Sequence, residues 1–277
     1  MSIANVVRKD FKDVRRAKLV WAPAALYTMF MLLFFWGQSN GPANPNFYSL
    51  IQGLAGIGGV MLIPLIALVA AYLSIAGERE SGSIKFLLGL PNSRSDVVLG
   101  KLLARSAVVA AGLLVSFAVA VLAAMVFVPD MTFEYADYAV FVALTLLYAL
   151  TYVGVAVSIS AVSSSRSRAM GGAIGFFFVF NLVWNFLPVS PRNMVQFLAD
   201  KLGTDVSQNT LDLIWASSPT GAYFGSLQFL DTPQFAGGMS GSSPFYLEAW
   251  FMVVILVAWL VVPLALGIWR FQRAELG

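Results

Sequence analysis

The feature that most constrains this chain is a succession of long apolar runs separated by short polar segments. A helix needs about 20 consecutive, mostly apolar residues to cross a bilayer. Backbone groups in lipid must be satisfied within the segment, so apolar runs of this kind predict helices. We predict an all-α polytopic membrane protein, a single transmembrane domain over residues 1–277. Its six transmembrane helices are expected near residues 18–36, 49–76, 99–128, 138–162, 169–187 and 248–269.

Composition supports a membrane class and argues against chemistry carried out by the chain itself. Hydrophobic residues make up 59% and charged residues 11%, whereas globular domains carry about 25% charged residues. Cysteine and histidine are absent, which removes thiolate ligands, a cysteine nucleophile and the commonest general base. No phosphate loop of the Gly-x-x-x-x-Gly-Lys-Ser/Thr type is present. We therefore predict no catalytic residue, no metal site and no bound cofactor in this chain.

The distribution of Lys and Arg predicts the orientation. With six spans and both termini in the cytoplasm, fifteen of the seventeen Lys and Arg residues lie inside, whereas eight of the fourteen acids lie outside. Cytoplasmic loops of membrane proteins carry an excess of Lys and Arg. This bias predicts a multi-pass protein of the cytoplasmic membrane with both termini cytoplasmic. A cleavable signal peptide is not expected, because the first eighteen residues mix acids with bases and no small-residue cleavage site follows.

One polar segment between apolar runs is longer and more highly charged than the others. We call residues 77–101 the charged loop. It begins with two acids and a base, continues through a short apolar stretch over 84–90 and breaks at Pro91. Ser93 and Asp96 then have the spacing of a capping box, which marks the start of a helix. The pattern predicts a helix end, a short amphipathic helix on the membrane surface, a turn and a new helix.

The charged loop closely resembles the loop between the second and third spans in permease subunits of type II ATP-binding-cassette exporters. That family has Glu-x-Glu-x-Gly-(Ser/Thr), a Leu-rich turn, Leu-Pro-x-Ser-Arg and then Gly-Lys. The matching positions here are Glu78, Glu80, Gly82, Ser83, Leu87, Leu88, Leu90, Pro91, Ser93, Arg94, Gly100 and Lys101. A generic basic loop of any polytopic protein is the alternative interpretation. The length and single-domain layout are similar to the small permeases of the nitrous-oxide-reductase maturation kind.

The resemblance implies a function and a set of partners. The loop over 77–98 would be a cytoplasmic coupling helix that seats in a groove of a separate ATPase subunit. Two permease copies would pair as a homodimer with two ATPase subunits, which bind ATP and Mg, and would export a substrate that the sequence does not identify. No nucleic acid partner is expected. The coupling residues would be Glu78, Arg79, Glu80, Gly82, Ser83, Ile84, Phe86, Leu87, Leu88, Pro91 and Arg94.

Within this set, charged and apolar side chains would have different tasks. The charged members would contact the ATPase, and Ile84, Phe86 and the two leucines would form an apolar plug. Charge reversal at Glu78 and Glu80 is expected to uncouple transport from ATP hydrolysis without unfolding the spans. Lys101 and Arg105, at the start of the next span, are expected to snorkel toward the cytoplasmic interface.

The N-terminal segment 2–17 is predicted to be an amphipathic helix. Apolar residues recur in it at helical spacing, and bases fill the remaining surface. Such a helix suits an anionic membrane face. The resemblance implies an interfacial elbow helix at this position; a plain topogenic charge cluster is the other interpretation.

The fifth span carries two patterns of interest. Gly171, Gly172 and Gly175 form a small-residue surface. The resemblance implies that the first and fifth spans meet across a dimer interface, so these glycines are placed near it. Asn181 and Asn185 lie one turn apart on one face, and amides in hydrocarbon need partners. They would either bond to neighbouring helices or line a translocation path.

Two further segments carry expectations. Four glycines crowd the first half of the second span and Pro64 lies in its middle, which predicts close packing and a kink. The alternative is a hinge that transmits movement from the charged loop just below it. Residues 188–247 form an external segment, expected to be helical near 194–202, 211–215 and 220–230 and flexible over 237–243.

Other classes of function explain part of the sequence. A channel or membrane scaffold without an ATPase fits the spans equally well but does not account for the charged loop. An intramembrane enzyme or an ion-coupled carrier is disfavoured, because no titratable side chain lies in the middle of a predicted span.

Overall fold

The computed structural model describes residues 7 and 10 and residues 18–40, 45–84, 93–230, 232 and 244–274. Within these ranges the chain is helical and has no strand, so the predicted all-α class is confirmed. The helices are α1 (Lys18–Ser39), α2 (Phe47–Glu80), α3 (Arg94–Phe127), α4 (Tyr135–Val162), α5 (Arg166–Phe186), α6 (Pro191–Leu202), α7 (Gln208–Ala216), α8 (Pro219–Ser226) and α9 (Ala249–Gln272).

Five helices of the described chain are long and apolar enough to cross a membrane: α2, α3, α4, α5 and α9. The remaining long helix, α1, has 22 residues, and its apolar part Ala24–Ser39 is shorter than the other five. A membrane-spanning architecture is therefore confirmed. The count of six spans stays a prediction.

Successive long helices run antiparallel, which gives the bundle two ends. We call the end that holds Glu80, Arg94 and Gln272 the charged end and the other, at Phe186, the opposite end. The centre is α4, which packs most extensively against α9 and also against α2 and α3. α1 lies mainly along α3, and α5 is the least buried of the five spans.

The start of α3 follows the predicted capping box. The Asp96 N–H donates to Ser93 Oγ at 3.1 Å, and the Ser93 N–H donates to Asp96 Oδ2 at 3.0 Å. These bonds satisfy two backbone donors that a helix start otherwise leaves open. The helix that begins within the charged loop, α3, therefore has a fixed first residue, Arg94.

The glycine-rich half of α2 packs closely on aromatic rings. It includes a π-helical stretch, Leu54–Leu62. A Cβ atom at three of its glycines would approach a ring to within 3 Å: Gly53 near Phe34, Gly58 near Phe30 and Gly59 near Tyr223. The close packing expected from the sequence is thus observed, and the hinge stays a prediction.

The external segment forms three short helices, α6 to α8, where the sequence predicts them. They lie at the opposite end, between α5 and α9. The predicted flexible linker over 237–243 lies outside the described residues.

Candidate functional site

Four charged side chains from three parts of the chain meet at the charged end. Lys101 Nζ lies 3.0 Å from Asp10 Oδ1 and 2.9 Å from Glu78 Oε1. Arg105 Nε donates to Asp10 Oδ2 at 3.0 Å, and its Nη1 donates to the Ala70 carbonyl at 2.9 Å. We call Asp10, Glu78, Lys101 and Arg105 the ion cluster. It joins the N-terminal segment, the end of α2 and the start of α3.

The ion cluster is buried, which differs from the expectation for its bases. The side chain of Lys101 is only 2% exposed, so it does not snorkel to the interface. Its charge is balanced by two carboxylates within hydrogen-bonding distance, the arrangement that a buried ammonium requires. The cluster therefore ties the two ends of the charged loop to each other and to the N-terminal segment.

Asp10 is the part of the cluster that comes from the predicted N-terminal helix. Val7 and Asp10 both have helical backbone conformation. The other residues of 2–17 lie outside the described part of the chain. Asp10 is buried against α3, so at this residue the N-terminal segment contacts the helical bundle.

The end of α2 is also attached to α4. The N–H groups of Ile75 and Ala76 both donate to Ser160 Oγ at 2.9 Å. These donors follow a turn in α2 and lack their usual helical partners there, so the serine replaces them. Arg79 Nη1 donates to the Ser163 carbonyl at 3.1 Å. The start of the charged loop and the two residues before it are therefore bonded to α4 and its C-terminal end.

Glu80 differs from Glu78, although only one residue separates them. Its Oε2 accepts from the Arg166 N–H at 2.6 Å, and its Oε1 lies 3.8 Å from Arg166 Nε. Its side chain is 45% exposed. Glu80 thus stands at the surface at the start of α5 and is accessible to a second protein, whereas Glu78 belongs to the buried cluster.

Arg94 binds the end of the last helix. Its Nη1 donates to the carbonyls of Phe271, Gln272 and Ala274 at 2.6, 3.0 and 2.7 Å. Its guanidinium also lies over the Phe271 ring. A cation at the first position of α3 interacts unfavourably with the dipole of that helix. It interacts favourably with the free carbonyl groups at the C-terminal end of α9. Arg94 therefore ties the exit of the charged loop to the last span.

The remaining predicted coupling residues have varied environments. Gly82 has φ 74°, a left-handed conformation that glycine adopts without a steric cost, which explains a glycine at this turn. Ser83 Oγ donates to the Glu78 carbonyl at 3.4 Å. Ile84 is 2% exposed and packs into the core of the bundle, so it is not presented outward as the plug predicts. Phe86, Leu87, Leu88 and Pro91 lie outside the described residues.

A second polar cluster lies within the bundle, around Asn181. This residue is fully buried, and its Oδ1 accepts from the Tyr152 hydroxyl at 2.6 Å. Its Nδ2 donates to the Val60 carbonyl at 2.6 Å. Val60 lies four residues before Pro64, which has no N–H to donate to it. Asn181 thus supplies the bond that the proline removes and joins the π-helical stretches of α2 and α5.

Asn185 has a different environment. Its Nδ2 donates to the carbonyls of Phe180 and Asn181 within its own helix, at 2.9 and 3.2 Å. Of the two interpretations given for the pair, interhelical bonding describes Asn181. A role in lining a translocation path stays a prediction for both.

The glycine surface of α5 is open on one side. A Cβ atom at Gly171 or Gly175 would meet nothing within 4 Å, whereas one at Gly172 would press on Ile159 of α4. Ile174 and Phe178 on the same helix are exposed. Two of the three glycines are therefore free to contact lipid or another chain.

Comparison with known proteins bears on what this arrangement does. The sequence model of the ABC-2 family transporter protein matches residues 4–276. The chain belongs to the ABC-2 transporter family. The resemblance first seen in the charged loop is thereby confirmed over nearly the whole sequence. This ABC-2 chain is therefore a membrane permease of an ATP-binding-cassette transporter.

Two curated relatives have similar lengths. The chain is 26% identical over 274 residues to the probable ABC transporter permease protein NosY of Pseudomonas aeruginosa, with 97% of each chain covered. It is 28% identical over 187 residues to the protein of the same name from Stutzerimonas stutzeri, covering 66% of this chain and 68% of the relative. Both relatives are named as permeases, in agreement with the predicted transport role.

Some contacts of this ABC-2 chain could not be assigned from its sequence. The sequence does not distinguish Asp10 from the other N-terminal charges, nor Ser160 from the other polar residues of its apolar span. Because Pro64 has no N–H, the sequence does indicate that the carbonyl of Val60, four residues earlier, needs a hydrogen-bond donor from outside α2. Nothing in the local pattern indicates that Asn181 supplies it.

Replacing Asn181 by leucine is expected to destabilise the ABC-2 chain by about 1–3 kcal/mol, because the Val60 carbonyl loses its outside donor and the Tyr152 hydroxyl an acceptor. The measurement is the thermal unfolding midpoint of the purified protein in detergent. Asn185→Leu is the control, since its amide hydrogens bond within their own helix. Equal midpoints for the two variants would contradict the interhelical role.

Proposed function

We propose that this permease is the membrane-spanning subunit of an ATP-driven exporter in which two copies pair and each receives force from a separate ATPase subunit through the charged loop. ATP and Mg would bind to that ATPase. The chain would have six spans, with both termini and the charged loop in the cytoplasm. The family membership supports an ATPase partner, and the distribution of Lys and Arg supports the orientation.

The attachment of the charged loop at both ends carries this proposal. At the start of the loop, Glu78 bonds to Lys101 of α3, and Ile75, just before the loop, bonds to α4. Near the other end of the loop, Arg94 bonds to the end of α9. A push on the loop would therefore move three long helices together rather than deform a free segment. A loop that only connects two spans would not need these contacts.

Glu80 is the best-placed residue for direct contact with the ATPase. It is exposed, it is acidic, and it lies beside the base Arg166 at the surface of the charged end. Glu78 and Arg94 would act differently from the first expectation: they hold the loop in place, and their contribution to coupling would pass through the bundle.

The test is ATP turnover and transport in proteoliposomes that contain this chain and a candidate ATPase subunit from the same organism. Glu80→Arg is expected to weaken association with the ATPase about tenfold, or about 1.4 kcal/mol, because it reverses a charge at the contact. The unfolding free energy should fall by only about 1 kcal/mol, because the substitution removes an exposed ion pair and a hydrogen bond with Arg166 but leaves the ion cluster intact. Titration of the ATPase against each variant measures the effect.

Two controls make the result specific. Asp130→Arg makes the same kind of charge reversal at an exposed residue of the opposite end and should leave ATPase association unchanged. Arg166→Ala removes the neighbour of Glu80 without reversing the acid. If no ATPase binds the unaltered chain and the chain alone conducts solute, the channel interpretation replaces the exporter.

Pairing of two copies is proposed through the open face of α5. Gly171 and Gly175 would let a second helix approach closely there, and Ile174 and Phe178 would supply apolar contact. The low burial of α5 within one chain supports this assignment.

A further inference from the structure

Helix α6 turns its apolar face away from the rest of the chain. Met194, Phe197, Leu198 and Leu202 are 53%, 64%, 51% and 75% exposed. They recur at the spacing that places residues on one side of a helix. An exposed apolar surface of this kind marks an interaction site.

The orientation of α6 is fixed by its other side. Ala199 is buried against the chain, and Arg192 Nη1 lies 3.3 Å from Asp212 Oδ1 of α7. The helix begins at a Ser190 cap that accepts from the Asn193 N–H and ends at Gly203 in the left-handed conformation. Rolling the helix to bury its apolar face would break the contacts with α7.

The position of α6 along the membrane normal follows from α5. α5 begins at the charged end, crosses the bundle and stops at Phe186, and α6 starts at Pro191 after a short turn. Phe186 and Val189 are themselves exposed and apolar. The apolar surface of α6 thus begins within a few residues of the exposed apolar end of a helix long enough to cross the membrane.

We propose that α6 lies flat in the membrane interface at the opposite end, with Phe197, Leu198 and their neighbours among the acyl chains of that leaflet. Amphipathic helices with an apolar face and a basic residue bind in this way. Lys201 is exposed on the same face, and its long side chain reaches lipid phosphates at the headgroup level. The external segment is thereby anchored to the bilayer close to the exit of α5.

A second copy of the chain fits this face less well. A two-fold contact pairs the same surface patch from each copy. Here it would bring two Lys201 side chains toward each other in an otherwise apolar surface. A lipid surface presents phosphates at that height instead.

The natural absence of cysteine allows a direct test. Single cysteines at Phe197 and Leu198, and as controls at the exposed polar positions Asn193 and Asp200, would carry a nitroxide spin label in vesicles of phosphatidylcholine and phosphatidylglycerol. Power saturation measures collision with oxygen, which concentrates in lipid, and with a nickel chelate, which stays in water. The oxygen-to-nickel ratio should be several-fold higher at Phe197 and Leu198 than at the two controls.

Two outcomes would overturn the proposal. Nickel access at all four positions would mean that water covers the apolar face. Exclusion of both reagents at Phe197, with a short dipolar distance between labels, would mean that a second copy covers it. Met194→Cys gives a further apolar-face position if one labelled variant misfolds. No ATPase is needed, so the result is independent of the proposed coupling.

Discussion

Replacing Lys101 by methionine is expected to destabilise the protein by about 3 kcal/mol, because it leaves the buried carboxylate of Asp10 and the partly buried carboxylate of Glu78 with one cation fewer. The lysine side chain is 2% exposed, and its ammonium lies 3.0 Å from Asp10 and 2.9 Å from Glu78. Of the two acids, Arg105 forms its ion pair with Asp10. The thermal unfolding midpoint in detergent should fall sharply, and ATPase association should fall with it.

A rescue variant separates charge from packing. If one carboxylate is neutralised together with the lysine, as in Glu78→Gln with Lys101→Met, the cluster keeps one acid and one base, the pair of Asp10 and Arg105. Most of the lost stability should then return. Lys201→Met, at an exposed position on α6, should change the midpoint little. A native midpoint for Lys101→Met alone would contradict the structural role of the ion cluster.

The ion cluster also changes the expectation for charge reversal at the charged loop. A base at position 78 would stand beside Lys101 and near Arg105, so folding and coupling would be lost together. A base at position 80 would face solvent and Arg166. The two acids look equivalent in the sequence, but reversal at Glu80 disturbs an exposed contact with Arg166 and not the ion cluster, so it reports on coupling with a smaller loss of stability.

Much of the fold follows from local sequence pattern. The apolar runs predict α2 to α5 and α9 to within a few residues, and Ser93 with Asp96 predicts the start of α3. These features depend on residues close together in the chain. The external helices were predicted for the same reason, since their amphipathic spacing is local.

Contacts between distant residues were not predictable in this way. Asp10 and Lys101 are 91 residues apart, and the sequence indicates only that each lies near one end of the bundle. A lysine that snorkels and a lysine that is buried have the same local sequence pattern. Lys101 is buried because the fold places two acids beside it. Arg94 similarly finds its carbonyl partners 177 to 180 residues later.

Replacing Gly267 by leucine is expected to cost about 3 kcal/mol or more, because the added side chain would meet rigid backbone. A Cβ atom at this position would lie 2.6 Å from Ser158 Oγ and 3.0 Å from Ser158 Cα. Ser158 Oγ donates to the Pro263 carbonyl across the same contact between α4 and α9. Since neither helix can shift without losing this bond, the two central helices would separate, and the unfolding midpoint measures the loss.

The matched control is leucine at Gly171 or Gly175, where an added side chain enters open space within one chain. These variants should keep the unfolding midpoint of a single copy, yet weaken pairing if α5 forms the proposed interface between copies. Light scattering or crosslinking through introduced cysteines reports that pairing. A Gly267→Leu midpoint equal to that of Gly171→Leu would mean that α4 and α9 are not in rigid contact. Unchanged pairing in both α5 variants would instead exclude the glycine face as the interface, because a leucine there would hold a second helix away.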